Sequence, residues 1–123
     1  MNWTLPAFIA AIVVSLFFVK WRVFISAGGA RRYLADGAVV IDVRSATEFR
    51  NGQVPGALNI PLDQFRAELP RVVPDKNQVL LLHCLGGVRS AVARRQARRL
   101  GYARVYNLGS FRRARRLARA ALI

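Results

Sequence analysis

The sequence contains a single cysteine, Cys84, and this scarcity restricts its chemistry. One cysteine can form neither a disulfide within the chain nor an all-cysteine metal site. No second thiol is present to resolve it, so a sulfur atom or an oxidised state acquired by Cys84 must be removed by another molecule. The 123 residues suffice for one domain and a short N-terminal segment.

Acidic residues are also scarce. The chain has 6 Asp and Glu against 20 Lys and Arg, which gives a formal net charge of +14. No acidic residue follows Asp75, whereas the arginines that follow it are Arg89, Arg94, Arg95, Arg98, Arg99, Arg104, Arg112, Arg113, Arg115, Arg116 and Arg119. Such a block predicts an anionic membrane surface, nucleic acid or an anionic substrate as partner. We favour the membrane and do not expect nucleic-acid binding, because no recognised nucleic-acid module or aromatic stacking platform accompanies the arginines.

Charge is absent from residues 3–19, which are mostly apolar. As a helix this run covers about 25 Å, slightly less than the hydrocarbon core of a bilayer, and residues 23–25 could extend it. Trp3 and Trp21 stand at its two ends, where interfacial aromatic residues are common. The pattern predicts a single transmembrane helix.

We therefore assign residues 1–25 to an N-terminal membrane anchor. A cleaved signal peptide and a buried core helix are the alternatives, but a signal peptide normally has positive charge before its apolar run, and none is present here. Positive charges follow the run at Lys20, Arg22, Arg31 and Arg32. This asymmetry predicts a bacterial-type inner membrane location with the C-terminal domain in the cytoplasm.

From residue 26 onward, short apolar segments alternate with segments of helical pattern. The predicted strands are residues 38–43, 57–60, 79–82 and 104–107. The predicted helices are residues 28–34, 48–51, 62–69, 90–100 and 111–123. Strands separated by helices indicate a parallel, doubly wound α/β sheet, so residues 26–123 are assigned to one domain. The last helix is amphipathic and basic, and it either only covers the sheet or also meets a membrane surface.

Cys84 lies just after the aliphatic run 79–82 and His83, at the carboxyl end of a predicted buried strand. Ser90 is the predicted N-cap of the next helix, and Gly86 and Gly87 allow positive φ values before it. A loop of this kind at a helix N-terminus directs backbone N–H groups toward an anion. We expect it to lower the pKa of the Cys84 thiol below its ordinary value of about 8.5.

We therefore interpret Cys84 as a nucleophile, with a buried structural cysteine as the alternative. The candidate substrate-binding residues are those that follow it, Leu85, Gly86, Gly87, Val88, Arg89 and Ser90, and residues 84–90 are called the Cys84 loop below. We expect Arg89 to raise the local concentration of anionic substrates. Neighbouring residues on a strand face opposite sides of the sheet, so His83 is expected to face away from the thiol.

Three further polar residues, Asp42, Arg44 and Glu48, lie at and just beyond the end of the first predicted strand. They are either substrate ligands or structural supports. We favour structural support, because buried charges need partners. The expected arrangement pairs Arg44 with Glu48 and leaves Asp42 to accept hydrogen bonds from the loop.

Two blocks of sequence carry a resemblance to a known family. Residues 84–90 read Cys-Leu-Gly-Gly-Val-Arg-Ser. Residues 42–49 read Asp-Val-Arg-Ser-Ala-Thr-Glu-Phe, and residues 52–61 read Gly-Gln-Val-Pro-Gly-Ala-Leu-Asn-Ile-Pro. Together they resemble single-domain rhodaneses over about residues 39–109. The departures from the family pattern are Gln53, where a His is common, and Leu108-Gly109-Ser110-Phe111, which replaces a Gly-Gly and Trp pattern.

The resemblance implies a rhodanese-like parallel sheet flanked by helices, here preceded by the predicted transmembrane helix. It also implies a sulfurtransferase in which Cys84 takes a sulfane sulfur from a small anionic donor, thiosulfate or a persulfide. The resulting Cys84 persulfide passes that sulfur to a thiol or to cyanide. This chemistry needs no metal ion and no organic cofactor.

Two other functions stay open. Cysteine phosphatases and arsenate reductases resemble this arrangement, but the phosphatase loops read Cys-x5-Arg, which is wide enough for a tetrahedral phosphate. The spacing from Cys84 to Arg89 is Cys-x4-Arg, and the tighter loop suits one sulfur atom. The other alternative is a non-catalytic, membrane-tethered rhodanese module that binds a partner or delivers sulfur to it.

Overall fold

The computed structural model describes residues 2–121, apart from the side chains of residues 20–22. Its helices are α1 (Thr4–Val23), α2 (Ala27–Ala35), α3 (Ala46–Arg50), α4 (Phe65–Val72), α5 (Val88–Arg99) and α6 (Phe111–Ala121), with a 3₁₀ helix at Leu62–Gln64. Its strands are β1 (Val39–Asp42), β2 (Leu58–Asn59), β3 (Leu80–His83) and β4 (Val105–Gly109).

The four strands form one parallel sheet in the order β2-β1-β3-β4. This confirms the predicted α/β architecture. Strand β3 is interior, with Leu82 level with Ile41 of β1 on one side and with Asn107 of β4 on the other. All four strands point the same way, so the loops that follow β1, β3 and β4 meet at one edge of the sheet.

Helices cover both faces of the sheet, which explains the uninterrupted aliphatic run of β3. Leu80 and Leu82 pack with the buried side chains of α4 and α5. Leu81 points to the opposite face and packs with α2 and α6, against residues such as Leu117. Each of these leucines is fully buried, so the strand that leads to Cys84 is fixed from both sides.

The helix boundaries depart from prediction in a few places. Helix α4 continues through Pro70 to Val72, beyond the predicted end at Leu69. Helix α3 begins earlier than predicted, because Ser45 and Glu48 form a reciprocal capping box at its start. The predicted cap at Ser26 is present, with its Oγ accepting from the Gly29 N–H at 3.1 Å. The part of the last predicted helix at residues 122–123 lies outside the described residues.

Helix α1 forms over the predicted apolar run, and its side chains at residues 4–19 are exposed, whereas Val23 at its end is half-buried. Over the residues that are described, however, no helix combines the length and the apolar character that crossing a membrane requires. The predicted transmembrane helix is therefore not supported. The side chains of Lys20, Trp21 and Arg22 lie outside the described part of the chain, so their predicted interfacial and orienting roles stay predictions.

The segment after α1 is attached to the carboxyl edge of the sheet. The Ile25 N–H donates to the Asn107 carbonyl oxygen at 3.0 Å. The Arg113 guanidinium donates to the Ile25 carbonyl oxygen and, at 2.7 Å, to that of Leu108. These bonds hold Phe24 against the sheet edge where β3 and β4 end.

Candidate active site

Cys84 is the first residue beyond β3, and α5 begins at Val88, so the chain turns within residues 84–87. Gly87 is the N-cap of α5 and has a φ of 99°, a left-handed conformation that glycine adopts without steric cost. Gly86, for which positive φ was also predicted, does not have it. One left-handed residue is therefore enough to turn the strand into the helix.

Several hydrogen-bond donors converge on the Cys84 sulfur. The Gly87 N–H donates to Sγ at 2.9 Å, and the Ser90 Oγ lies 3.6 Å from Sγ. Burial acts to raise the pKa of the Cys84 thiol, because the residue is only 1% exposed. The Ser90 hydroxyl and the backbone N–H groups of Ser90, Gly87 and Gly86 outweigh burial and hold that pKa below its usual value. The thiolate is thus stabilised by fixed donors at the start of a helix.

Ser90 is not the helix N-cap that the sequence predicted. The left-handed Gly87 starts α5 earlier, so Ser90 lies in the first turn and is fully buried. Its hydroxyl faces Cys84 and also donates to Asn107 Oδ1 at 2.7 Å. Ser90 therefore contributes to the sulfur site rather than to capping.

The other members of the Cys84 loop form its outer side. Leu85 is 59% exposed and Val88 is 76% exposed, so an apolar rim faces solvent there. The Leu85 and Val88 side chains have no hydrogen-bonding groups, so they can contribute to substrate binding only through apolar contact. Arg89 is half-buried beside them.

The charged residues are paired differently from the prediction. Arg44 pairs with Asp42, through Nε at 3.0 Å from each carboxylate oxygen and Nη2 at 2.7 Å from Oδ2, and both side chains are buried. Glu48 pairs instead with Arg89, whose Nη1 and Nη2 lie 2.7 and 3.0 Å from its two oxygens. The predicted Arg44–Glu48 pair is therefore wrong.

The reason lies in the backbone of each segment. Asp42 ends β1 and also accepts the backbone N–H of Arg44 at 2.9 Å, which folds the Arg44 side chain back onto it. Glu48 is in the first turn of α3, close to the start of α5 in space although 41 residues away in sequence. The Arg89 charge that was expected to attract substrates is largely neutralised by this bidentate pair.

His83 occupies the opposite side of the sheet from the thiol, as the alternation of strand residues predicts. Its Nε2 lies 3.8 Å from Asp42 Oδ2, and its ring lies beside that of Phe111. Burial lowers the pKa of His83 despite the opposing effect of the Asp42 carboxylate, so the imidazole is neutral near pH 7. Among the described residues, the hydrogen bonds to the Cys84 sulfur come from Gly87 and Ser90 and none comes from the imidazole.

Two features of the site were not found from the sequence. Asn107, on β4, is buried and bonds to both Gly87 and Ser90. Phe24 lies against the Cys84 loop, and a cavity of about 710 Å³ adjoins it, lined by Phe17, Phe24, Ile25, Ser26, Ala27, Gly86, Gly109, Ser110 and Arg113. Neither feature has a local sequence signal, because both depend on segments brought together by the sheet.

Comparison with known proteins gives consistent matches to one family. The rhodanese-like domain family matches residues 26–113. Thiosulfate sulfurtransferase PspE of Escherichia coli (strain K12) is 35% identical over 72 residues, covering 58% of this chain and 69% of that protein. The human single-domain sulfurtransferase TSTD1 superimposes with a TM-score of 0.64 at 32% identity, covering 74% of this chain and 93% of that one.

Other relatives are much longer than this chain. The tRNA uridine(34) hydroxylase of Erwinia tasmaniensis is 37% identical over 75 residues, covering 58% of this chain. The match includes only 21% of that hydroxylase. The shared part is thus the length of one domain.

Replacing Gly87 with Ala should disturb the site. The added Cβ would lie 2.7 and 2.9 Å from two atoms of the Phe24 ring, at a φ that disfavours side chains. We expect a loss of at least about 1 kcal/mol in the free energy of unfolding, measured in urea, and slower alkylation of Cys84 at pH 7. Gly86→Ala is the matched control, since its Cβ would meet nothing within 4 Å.

The double variant Phe24→Ala/Gly87→Ala separates the steric clash with the Phe24 ring from the strain of the left-handed backbone at residue 87. It removes the clash with the Phe24 ring but leaves the backbone strain and a 3.3 Å contact with Gly109 Cα, so the double variant should recover part of the stability. Equal stability of the Gly86 and Gly87 variants would contradict this account of the turn.

The Glu48–Arg89 pair should make stability depend on acid pH. The hydrogen bonds from Arg89 hold the pKa of Glu48 at about 2, below its ordinary 4.5. A carboxyl with a lowered folded-state pKa stabilises the fold above pH 4.5, and that stabilisation disappears as the pH falls to about 2. Wild type should therefore exceed Glu48→Gln in unfolding free energy at pH 7, with the difference shrinking toward pH 2. A difference that does not change over this range would show that the pair contributes nothing through charge.

Proposed function

Because the chain belongs to the rhodanese-like domain family, we propose that it is a sulfurtransferase that moves a sulfane sulfur from thiosulfate or a persulfide to a thiol or cyanide acceptor. The observation that supports this most directly is the convergence of N–H donors on the Cys84 sulfur. A lowered pKa of the Cys84 thiol increases the fraction present as thiolate, and the thiolate is the nucleophilic form.

The first step transfers one sulfur atom to Cys84. The thiolate attacks the outer sulfur of thiosulfate, a new S–S bond forms at Cys84, and the old S–S bond breaks with its electron pair leaving on sulfite. The terminal sulfur of the persulfide then carries the negative charge. Donors at the start of α5 are suited to stabilise this anion as well, because the terminal sulfur is only one S–S bond from Sγ.

The second step returns the enzyme to its starting state. A thiolate or cyanide attacks the terminal sulfur and takes it as a persulfide or as thiocyanate, and the S–S bond electrons return to Cys84. No oxidant or reductant is consumed. Because the chain has no second cysteine, the sulfur acceptor must be another molecule, as this second step requires.

The burial of Cys84 restricts how a donor reaches it. With 1% of the residue exposed, a donor must present a narrow terminal sulfur or displace the apolar rim of Leu85 and Val88. The outer sulfur of thiosulfate is a single atom at the end of the molecule, which satisfies the first condition. A phosphate ester instead presents a tetrahedral phosphorus surrounded by oxygens, which is too wide for this access. The burial of Cys84 therefore disfavours the phosphatase alternative.

The persulfide can be tested by mass spectrometry of the full chain after thiosulfate treatment. We expect a mass gain of one sulfur atom on Cys84, its loss after addition of cyanide with release of thiocyanate, and no gain in Cys84→Ser. The matched control is Ser45→Ala, an exposed hydroxyl of the α3 cap that lies outside the Cys84 loop. It should load with sulfur like the wild type.

Other outcomes would favour the alternatives. A protein that folds but never gains sulfur from thiosulfate or a low-molecular-weight persulfide would favour a non-catalytic binding module. Rapid hydrolysis of an aryl phosphate that depends on Cys84 would favour a phosphatase. Thiocyanate release by Cys84→Ser at the native rate would rule out the proposed intermediate.

We also propose that the protein is held at the bacterial-type inner membrane, with residues 26–123 on the cytoplasmic side. Apolar side chains exposed along α1 and exposed arginines at Arg31 and Arg32 support this location. The full chain should float with anionic phospholipid vesicles in a density gradient to a greater extent than a chain lacking residues 1–23, which keeps Arg31 and Arg32 but not the apolar helix. Equal behaviour of the two chains would contradict a role for α1 in attachment.

A further inference from the structure

Asn107 joins the two sides of the Cys84 loop from beneath it. The residue lies on β4 and is 1% exposed. Its Nδ2 donates to the Gly87 carbonyl oxygen at 3.1 Å, and its Oδ1 accepts from the Gly109 N–H at 2.9 Å. The same Oδ1 accepts from the Ser90 hydroxyl at 2.7 Å. Asn107 thus touches both Gly87 and Ser90, which supply donors to the Cys84 sulfur.

The Ser90 hydroxyl has two acceptors but one proton. Asn107 Oδ1 is 2.7 Å away and Cys84 Sγ is 3.6 Å away. A serine hydroxyl donates one hydrogen bond at a time, while its lone pairs can accept another. When Cys84 is a neutral thiol, the short bond to Asn107 is favoured and Ser90 can accept from the S–H group. When the sulfur is charged, donation to the sulfur becomes the stronger interaction.

We propose that Asn107 is a positioning residue for the sulfur chemistry: its side-chain oxygen holds the Ser90 proton while Cys84 is a neutral thiol and releases it to the sulfur when the sulfur is charged. Its relevance to turnover rests on the proposed function. The hydrogen-bond exchange itself does not, because ionisation of the thiol alone is sufficient to drive it.

Replacing Asn107 should favour ionisation of the Cys84 thiol more when Ser90 is present than when Ser90 is replaced. Each Asn107 variant frees the Ser90 hydroxyl to donate to the sulfur, and it also removes the hydrogen bonds that Asn107 makes to Gly87 and Gly109. Only the first requires Ser90. Comparing an Asn107 variant with Ser90 present and with Ser90 replaced therefore isolates the exchange from general loosening of the loop.

The test is a double-mutant cycle on the full chain, made of wild type, Ser90→Ala, Asn107→Leu and the double variant. The measurement is the pH dependence of iodoacetamide alkylation, which reports Cys84 alone because the chain has no other cysteine. We expect Asn107→Leu to favour the thiolate more with Ser90 present than with it replaced, by at least about twofold in the acid dissociation constant. An equal shift in both backgrounds, or a coupling of opposite sign, would overturn the proposal.

The neighbouring charges are the same in all four proteins. Arg89 on α5 interacts electrostatically with Cys84 and is paired with Glu48 of α3. His83, Asp42 and Arg44 lie at the ends of β3 and β1 and are not altered either. Their contributions therefore cancel in the cycle.

Two controls keep the result interpretable. Asn59→Leu removes another amide at this sheet edge, one that donates to the Asp42 and Arg44 carbonyl oxygens, and it should show no coupling with Ser90. If Asn107→Leu fails to fold, Asn107→Ala replaces it in the same cycle. The alkylation measurement contains no sulfur donor. A failure of sulfur transfer in a separate assay would therefore contradict the proposed function without changing the measured coupling between Asn107 and Ser90.

Discussion

Several fixed donors point at the Cys84 sulfur and lower the free-energy cost of a negative charge on it in the interior of this small domain. Cys84 lies at the end of a buried strand, where burial favours the neutral thiol. The N–H groups of the Cys84 loop and the Ser90 hydroxyl outweigh burial and lower the pKa of the thiol. These donors are available because the start of a helix leaves its first N–H groups without partners inside the helix. The site is thus a helix N-terminus whose free donors are directed at one atom.

The sheet supplies the rigidity that this arrangement needs. Strand β3 is interior and packed on both faces, so the position of Cys84 is determined by residues far from it in sequence. Strand β4 lies beside it and places Asn107 under the loop, where its amide binds Gly87 and Ser90. A mobile loop would lose this advantage, because donors that must reorganise around a charge stabilise it less than donors already in place.

Charge around the site is arranged in pairs although the chain as a whole is strongly basic. Asp42 pairs with Arg44, and Glu48 pairs with Arg89. Two of the chain's 6 acidic residues are therefore used at this edge of the sheet. Many of the other arginines lie on α5 and α6, and most of these are exposed. We infer that anion attraction at the sulfur depends on backbone donors more than on arginine side chains.

The sequence alone determined the alternation of strands and helices, the parallel sheet, and the position of Cys84 between a buried strand and a helix. These follow from local patterns: aliphatic runs, helical spacing and glycines in a turn. It did not determine which charges pair, that Ser90 faces the sulfur, or that Asn107 and Phe24 reach the loop. Only the tertiary structure decided those, because each joins segments separated in sequence, and no local pattern records which side chains the sheet brings into contact.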